Sequence, residues 1–168
     1  MPLSDTDDPI RAVGFVAIRF AHLEDELDEA IRKSAPVIPP DPKIEQMNFR
    51  EKVRFLKRGF RDAFAAYPYP DAIRADEERN RVDRILQACK EIALRRNDIL
   101  HRPIFGDLHT DDTFQKRQGG QMQQIKSQEI IDLANEITDL CDGVRSFGFV
   151  VGRLLEVKQI NNSTPAST

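Results

Sequence analysis

The sequence predicts an all-α protein: an up-and-down four-helix bundle (with a short hairpin or loop insertion between helices three and four). Four long segments repeat apolar residues at helical spacing, and prolines follow the first three of them. With 40% hydrophobic and 32% charged residues, the 168-residue chain has the composition of one helix-rich domain. We expect this domain to cover residues 9–158, between disordered tails at residues 1–8 and 159–168.

Helix one is predicted from Pro9 to Ser34. Proline suits the first turn of a helix because its missing N–H needs no partner there, and Asp8 is a suitable N-cap. The prolines between positions 36 and 42 force the helix to end. One face of the helix carries the apolar residues Val13, Val16, Phe20, Leu23, Leu27 and Ile31.

Helix two is predicted from Lys43 to Ala66, before Pro68 and Pro70. Its buried stripe comprises Phe49, Val53, Leu56, Phe60 and Phe64. A quarter-turn away lies a basic stripe of Arg50, Arg54, Lys57, Arg58 and Arg61. Two interpretations of this basic stripe remain open. It is either a solvated face balanced by acidic neighbours or a surface that binds the phosphates of an RNA backbone.

Helix three is predicted from Arg74 to about His101. It ends there because Pro103 disfavours a helical backbone at the residue before it. Its core stripe comprises Val82, Ile85, Leu86, Cys89, Ile92, Ala93 and Leu100.

The helical period is absent over residues 103–126. Apolar residues flank a polar stretch there, and Gly119-Gly120 is typical of a turn, so we expect a short hairpin or an ordered loop. Helix four is predicted from Ser127 to Lys158, with Glu129 favourably placed in its first turn.

Composition and motifs narrow the function classes. The formal charge of −3 argues against a protein coated in nucleic acid, although it allows a local basic patch. No apolar run is long enough to span a membrane, and the acidic N-terminus lacks the features of a signal peptide, so we expect a cytoplasmic protein. Cys89 and Cys141 are expected to be reduced core residues. No metal-ligand spacing or phosphate-binding glycine loop is present, so no metal or cofactor is expected.

The most informative segment is Arg96-Asn97-Asp98-Ile99-Leu100-His101, at the end of helix three. At 100° per residue, Arg96 continues the apolar row, whereas Asn97 and His101 share the adjacent face. A guanidinium among apolar side chains is unfavourable unless it is paired or opens into a wet cleft. Two interpretations follow. Arg96 either pairs with a carboxylate of helix one, such as Glu24 or Asp28, and locks the bundle, or opens into a cleft that a second subunit completes.

The helical layout, the Arg96-Asn97 to His101 segment and the proline-containing turn after it resemble HEPN domains, whose signature is arginine, a polar residue and then histidine. The Phe20 to Asp28 run is similar to bacterial members of this group. The resemblance implies a homodimer whose two motifs face one another, and metal-independent endoribonuclease activity in the active members. Many members are toxins or defence effectors, so a cognate antitoxin or regulatory protein is an expected partner. Others are non-catalytic scaffolds, so a helical dimerisation or interaction protein is the alternative function.

The motif residues suit this chemistry. His101 can act as general base or acid near neutral pH. Arg96 can stabilise the charge that develops on the phosphorus, and Asn97 can orient His101 or the phosphate. Arg95 and Arg102 flank the motif and join the basic stripe of helix two as expected RNA-binding residues. Four apolar residues that lie off the main stripes are candidates for a dimer interface: Phe15, Ile18, Met47 and Phe55.

Overall fold

The computed structural model describes residues 9–69, 71–100, 104–106, 113–118 and 121–163. These residues form five α-helices and one three-stranded antiparallel sheet. The helices are α1 (Pro9–Ser34), α2 (Phe49–Ala66), α3 (Ala72–Leu100), α4 (Ser127–Arg145) and α5 (Phe147–Ser163). The predominantly helical class is therefore confirmed. None of the helices within the described ranges is long and apolar enough to cross a membrane.

The start of α2 differs from the prediction. Residues Ile44–Gln46 form a separate 3₁₀ turn, and α2 begins only after Asn48. The Asn48 side chain accepts a hydrogen bond from the backbone N–H of Glu51 (3.1 Å), whose carboxylate accepts one from the backbone N–H of Asn48 (2.9 Å). This capping box satisfies two N–H groups at the helix start. The predicted start at Lys43 is therefore wrong, although Asn-x-x-Glu is a recognisable sequence signal.

The predicted fourth helix is two helices separated by Ser146, and the second of them continues to Ser163. The predicted end at Lys158 and the predicted tail over residues 159–163 are therefore wrong. The backbone N–H of Ser146 contacts the carbonyls of Asp142 and Gly143, and its hydroxyl donates to the Gly143 carbonyl. A glycine just before the break lowers the local helix propensity. The apolar period nevertheless continues through the break, because Val144 and Phe147 are both buried. Periodicity alone was therefore unable to separate α4 from α5.

The segment between α3 and α4 forms the sheet. Its strands are β1 (Ile104–Gly106), β2 (Thr113–Gln118) and β3 (Gln121–Lys126), in the order β1-β2-β3. The β2–β3 pair confirms the predicted hairpin, with Gln118 opposite Gln121, and β1 adds a third strand to it. Gly119-Gly120, the predicted turn, lies outside the described residues.

The chain forms two compact units, one from residues 1–23 and 91–141, the other from residues 24–90 and 142–168. Helices α1, α3 and α4 contribute residues to both units. Fully buried side chains of the first unit include Val16, Leu23, Ile130, Leu133 and Ile137. Those of the second unit include Leu27, Val53, Leu56, Phe60, Leu86, Phe147 and Leu154. Cys89 and Cys141 are both buried, as expected of core residues.

Gly59 allows α2 to pack closely within the second unit. A Cβ atom placed on Gly59 would lie 2.5 Å from Cγ2 of Ile38, a buried and branched side chain. We expect Gly59→Ala to lower the free energy of unfolding by about 1–2 kcal/mol, because overpacking outweighs the higher helix propensity of alanine.

The matched control is Gly152→Ala in α5, where no heavy atom lies within 4 Å of the added Cβ. This variant should raise the free energy of unfolding by about 0.5–1 kcal/mol. Urea titration of both variants measures the difference, and a stabilised Gly59→Ala would contradict the packing argument.

Candidate functional site

Arg96 lies on α3, in the first unit, and its guanidinium is held from two sides. Its Cζ atom is 4.7 Å from the ring centroid of Phe20, a buried residue of α1. Its Nη1 donates a hydrogen bond to Oδ1 of Asn97 at 2.9 Å. Stacking of a guanidinium on an aromatic face is a favourable cation–π contact. These two contacts fix the plane of the guanidinium.

The Nε atom of Arg96 is buried and has no hydrogen-bond partner among the described residues. The side chain as a whole is half-buried, which agrees with its predicted position on the apolar stripe. Within the described part of the first unit, no carboxylate forms an ion pair with it. Buried donors are normally satisfied, so the described residues leave one donor of Arg96 unsatisfied.

The carboxylates suggested as partners of Arg96 have another role. In the second unit, Lys52 lies 2.7 Å from Oδ2 of Asp28 and 3.6 Å from Oε1 of Glu24. Lys52 is buried, whereas both carboxylates are partly exposed. A buried ammonium requires such compensation. Glu24 and Asp28 therefore neutralise Lys52.

Arg95, the residue before Arg96, is neutralised within the chain. Its guanidinium forms two hydrogen bonds to the carboxylate of Glu136 on α4, one of them 3.1 Å long from Nη2 to Oε1. Both side chains are about half exposed. The two neighbouring arginines thus differ in kind. Arg95 is already paired with an anion, which lessens its value as a phosphate ligand, whereas Arg96 has no such partner among the residues that the structure describes.

The other predicted motif residues are placed only in part. Asn97 is exposed on α3 and presents its amide beside Arg96. His101 and Arg102 lie outside the described residues, so their roles remain predictions. Helix α3 is described as far as Leu100, and its predicted end near His101 lies outside the described residues.

The basic stripe of α2 lines a groove of about 580 Å³ in the second unit. Arg54, Lys57, Arg58 and Arg61 all contribute to it, whereas Arg50 is exposed but does not line it. Arg79 of α3 is an additional cation that was not predicted. Its position depends on how α2 and α3 pack, which sequence spacing does not reveal.

A second cavity of the second unit, of about 270 Å³, is lined by Tyr69, Arg74 and Arg153 among others. The Tyr69 hydroxyl is buried without a hydrogen-bond partner among the described residues. Burial, and secondarily the charge of Glu78, raises the pKa of Tyr69 above its usual value of 10.0. The phenol is therefore neutral at physiological pH.

No cluster of three or more potential metal ligands occurs within the described ranges. Comparisons of the chain with protein-family models, with curated proteins and with solved structures find no match.

Proposed function

We propose that the chain is a metal-independent endoribonuclease of HEPN type that acts as a homodimer. The observation that supports this best is the state of Arg96. It is a half-buried cation that has no carboxylate partner among the described residues of its unit, and Phe20 and Asn97 hold it in a fixed plane. A scaffold that used Arg96 only as a structural lock would be expected to pair it with a carboxylate.

An anionic ligand would complete this site. A buried guanidinium is unfavourable without a counter-charge, and its planar fork matches the oxygens of a phosphate. The stacked ring also reduces the side-chain freedom that the arginine would lose on binding. Arg96 is therefore preorganised for a phosphodiester.

The proposed reaction is an internal transesterification of RNA. His101 accepts the proton of the 2′-hydroxyl while the O2′–P bond forms and the P–O5′ bond breaks. Arg96 stabilises the negative charge on the phosphorane oxygens, and Asn97 keeps the guanidinium in position. A general acid protonates the leaving O5′, a role open to the partner subunit's motif. The products are a 2′,3′-cyclic phosphate and a 5′-hydroxyl. Because RNA supplies its own nucleophile, no metal-activated water is required.

A non-catalytic dimerisation protein is the second candidate function. In the first unit, Ile18 and Leu94 are 56% and 60% exposed, and apolar side chains exposed to this extent are candidates for contact with a protein partner. The other residues considered for a dimer interface are less accessible. Phe15 and Met47 are half-buried, and Phe55 is buried.

RNA cleavage in EDTA separates the two functions. We expect the wild-type protein to cleave single-stranded RNA and His101→Ala to be at least about a hundredfold slower, because general acid–base catalysis is lost. His22→Ala is the matched control, since His22 is exposed on α1 and outside the motif.

The protein is first verified as a folded dimer by light scattering. Inactivity of the verified wild-type dimer on RNAs of varied sequence would favour the scaffold. Undiminished activity of His101→Ala would contradict the proposed mechanism.

A further inference from the structure

The groove in the second unit is strongly cationic, although the chain as a whole carries a formal charge of −3. Two carboxylates, Glu51 and Asp83, line it beside five cations. The cations are Arg54, Lys57, Arg58 and Arg61 of α2 and Arg79 of α3. Such a concentration of one charge in a cleft attracts anions.

The acidic residues of this region neutralise only some of these cations. Lys57 lies 3.3 Å from Asp83, Arg61 binds Asp62, and Arg79 binds Asp76. The carboxylate of Glu51 accepts the capping hydrogen bond at the start of α2.

Arg54 and Arg58 remain without an ion-pair or hydrogen-bond partner among the described residues, and both are exposed. They lie one helical turn apart, where like charges repel each other. A bound anion would remove that repulsion.

The groove presents cations but no open aromatic ring. Its aromatic side chains are nearly closed to solvent, with Phe55 at 7%, Phe60 at 1% and Phe64 at 3% exposure. Nucleic-acid bases would therefore find no open ring on which to stack. The charged groups that it exposes include the guanidinium groups of Arg54 and Arg58. Arginine forks bind phosphate in particular, through paired charge-assisted hydrogen bonds.

The length of the cationic row fits more than one phosphate. The seven residue-to-residue steps from Arg54 to Arg61 advance about 10 Å along the helix axis. A row of this length can contact more than one phosphate of a single strand.

We propose that this groove binds the sugar–phosphate backbone of single-stranded RNA without reading its bases. The choice of RNA among polyanions rests on the proposed function, whereas the groove residues are distinct from the cleavage motif. The groove would therefore raise the affinity of the protein for its substrate and leave the chemical step unchanged.

The test uses RNA that cannot react, so that binding is measured independently of cleavage. A fluorescent 2′-O-methyl oligonucleotide lacks the 2′-hydroxyl nucleophile, so the wild-type full chain can bind it without cleaving it. Its affinity is measured by fluorescence anisotropy at several salt concentrations for the wild type and for two double variants. The groove variant combines Arg54→Gln with Arg58→Gln, and the second double variant combines Arg81→Gln with Arg84→Gln. The last pair is the matched control, because Arg81 and Arg84 are exposed on α3 outside the groove.

We expect the groove variant to bind at least about tenfold more weakly than the wild type at low salt. Its plot of log affinity against log salt should be shallower by about 1.4, since two phosphate contacts to a single strand are lost. The control pair should change both quantities much less. Oligonucleotides of uridine and of adenosine should bind with affinities within a few-fold of each other.

Equal affinity and salt dependence of the two double variants would overturn the inference. Tighter binding of an acidic peptide than of RNA at this groove would also overturn it, by identifying a protein partner. If unmodified RNA is bound through the groove but not cleaved, the proposed nuclease fails and the groove inference stands. If RNA is cleaved while the groove variant binds normally, the nuclease stands and the groove inference fails.

Discussion

Arg96→Gln should lower the rate of RNA cleavage about a thousandfold. An arginine that stabilises the transition-state charge of phosphoryl transfer contributes at least this factor in known cases. Glutamine has no positive charge and cannot form the cation–π contact with Phe20. The loss should appear in kcat, whereas the affinity for unreactive 2′-O-methyl RNA should change little.

Arg96→Lys separates charge from geometry at the same position. Lysine keeps the positive charge but lacks the planar guanidinium fork. It also lacks a donor at the position of the Arg96 Nη1 atom, which donates a hydrogen bond to Oδ1 of Asn97 at 2.9 Å. It should restore only a small part of the lost rate. Arg84→Gln, the same chemical change elsewhere on α3, should remain fully active. Cleavage by Arg96→Gln within a few-fold of the wild-type rate would contradict the role assigned to Arg96.

Phe60→Ala should lower the free energy of unfolding by about 3–5 kcal/mol, the range measured for removal of a buried phenylalanine from a protein core. Phe60 is 1% exposed, and its ring packs edge-on against Phe147 with centroids 5.2 Å apart. The substitution leaves a cavity and removes this aromatic contact.

The control for Phe60 is Phe149→Ala in α5, because Phe149 is 76% exposed. It should change stability by less than about 0.5 kcal/mol. Urea denaturation at equal protein concentration measures both variants, since association would alter apparent stability. A loss below about 1 kcal/mol for Phe60→Ala would show that Phe60 is not a central core residue of its unit.

The spacing of apolar residues predicts where the helices lie, but it predicts a helix boundary only where the apolar pattern itself stops. Helix α1 ends at Ser34 as predicted, because the prolines that follow act on the backbone directly. The start of α2 depends on side-chain capping at Asn48, which the spacing of apolar residues does not detect. The break at Ser146 does not interrupt the spacing of buried apolar residues, so the hydrophobic pattern does not reveal that α4 and α5 are separate helices.

The candidate site was predictable in residue identity but not in its contacts. Counting 100° per residue placed Arg96 on the apolar face of α3, and its Nε atom is indeed buried. That Phe20 would stack on the guanidinium depends on how α1 and α3 approach one another, which is a tertiary property. The same holds for Arg79, which reaches the groove only because α2 and α3 pack side by side.

The chemical identity of the RNA ends tests the central claim most directly. The verified dimer is incubated with a defined single-stranded RNA in EDTA, and the products are analysed by mass spectrometry. Attack by the 2′-hydroxyl, with Arg96 and His101 in the proposed roles, predicts 2′,3′-cyclic phosphate and 5′-hydroxyl ends, and no cleavage at a position carrying a 2′-deoxy sugar. Products with 5′-phosphate and 3′-hydroxyl ends, or cleavage beside the 2′-deoxy sugar, would contradict it.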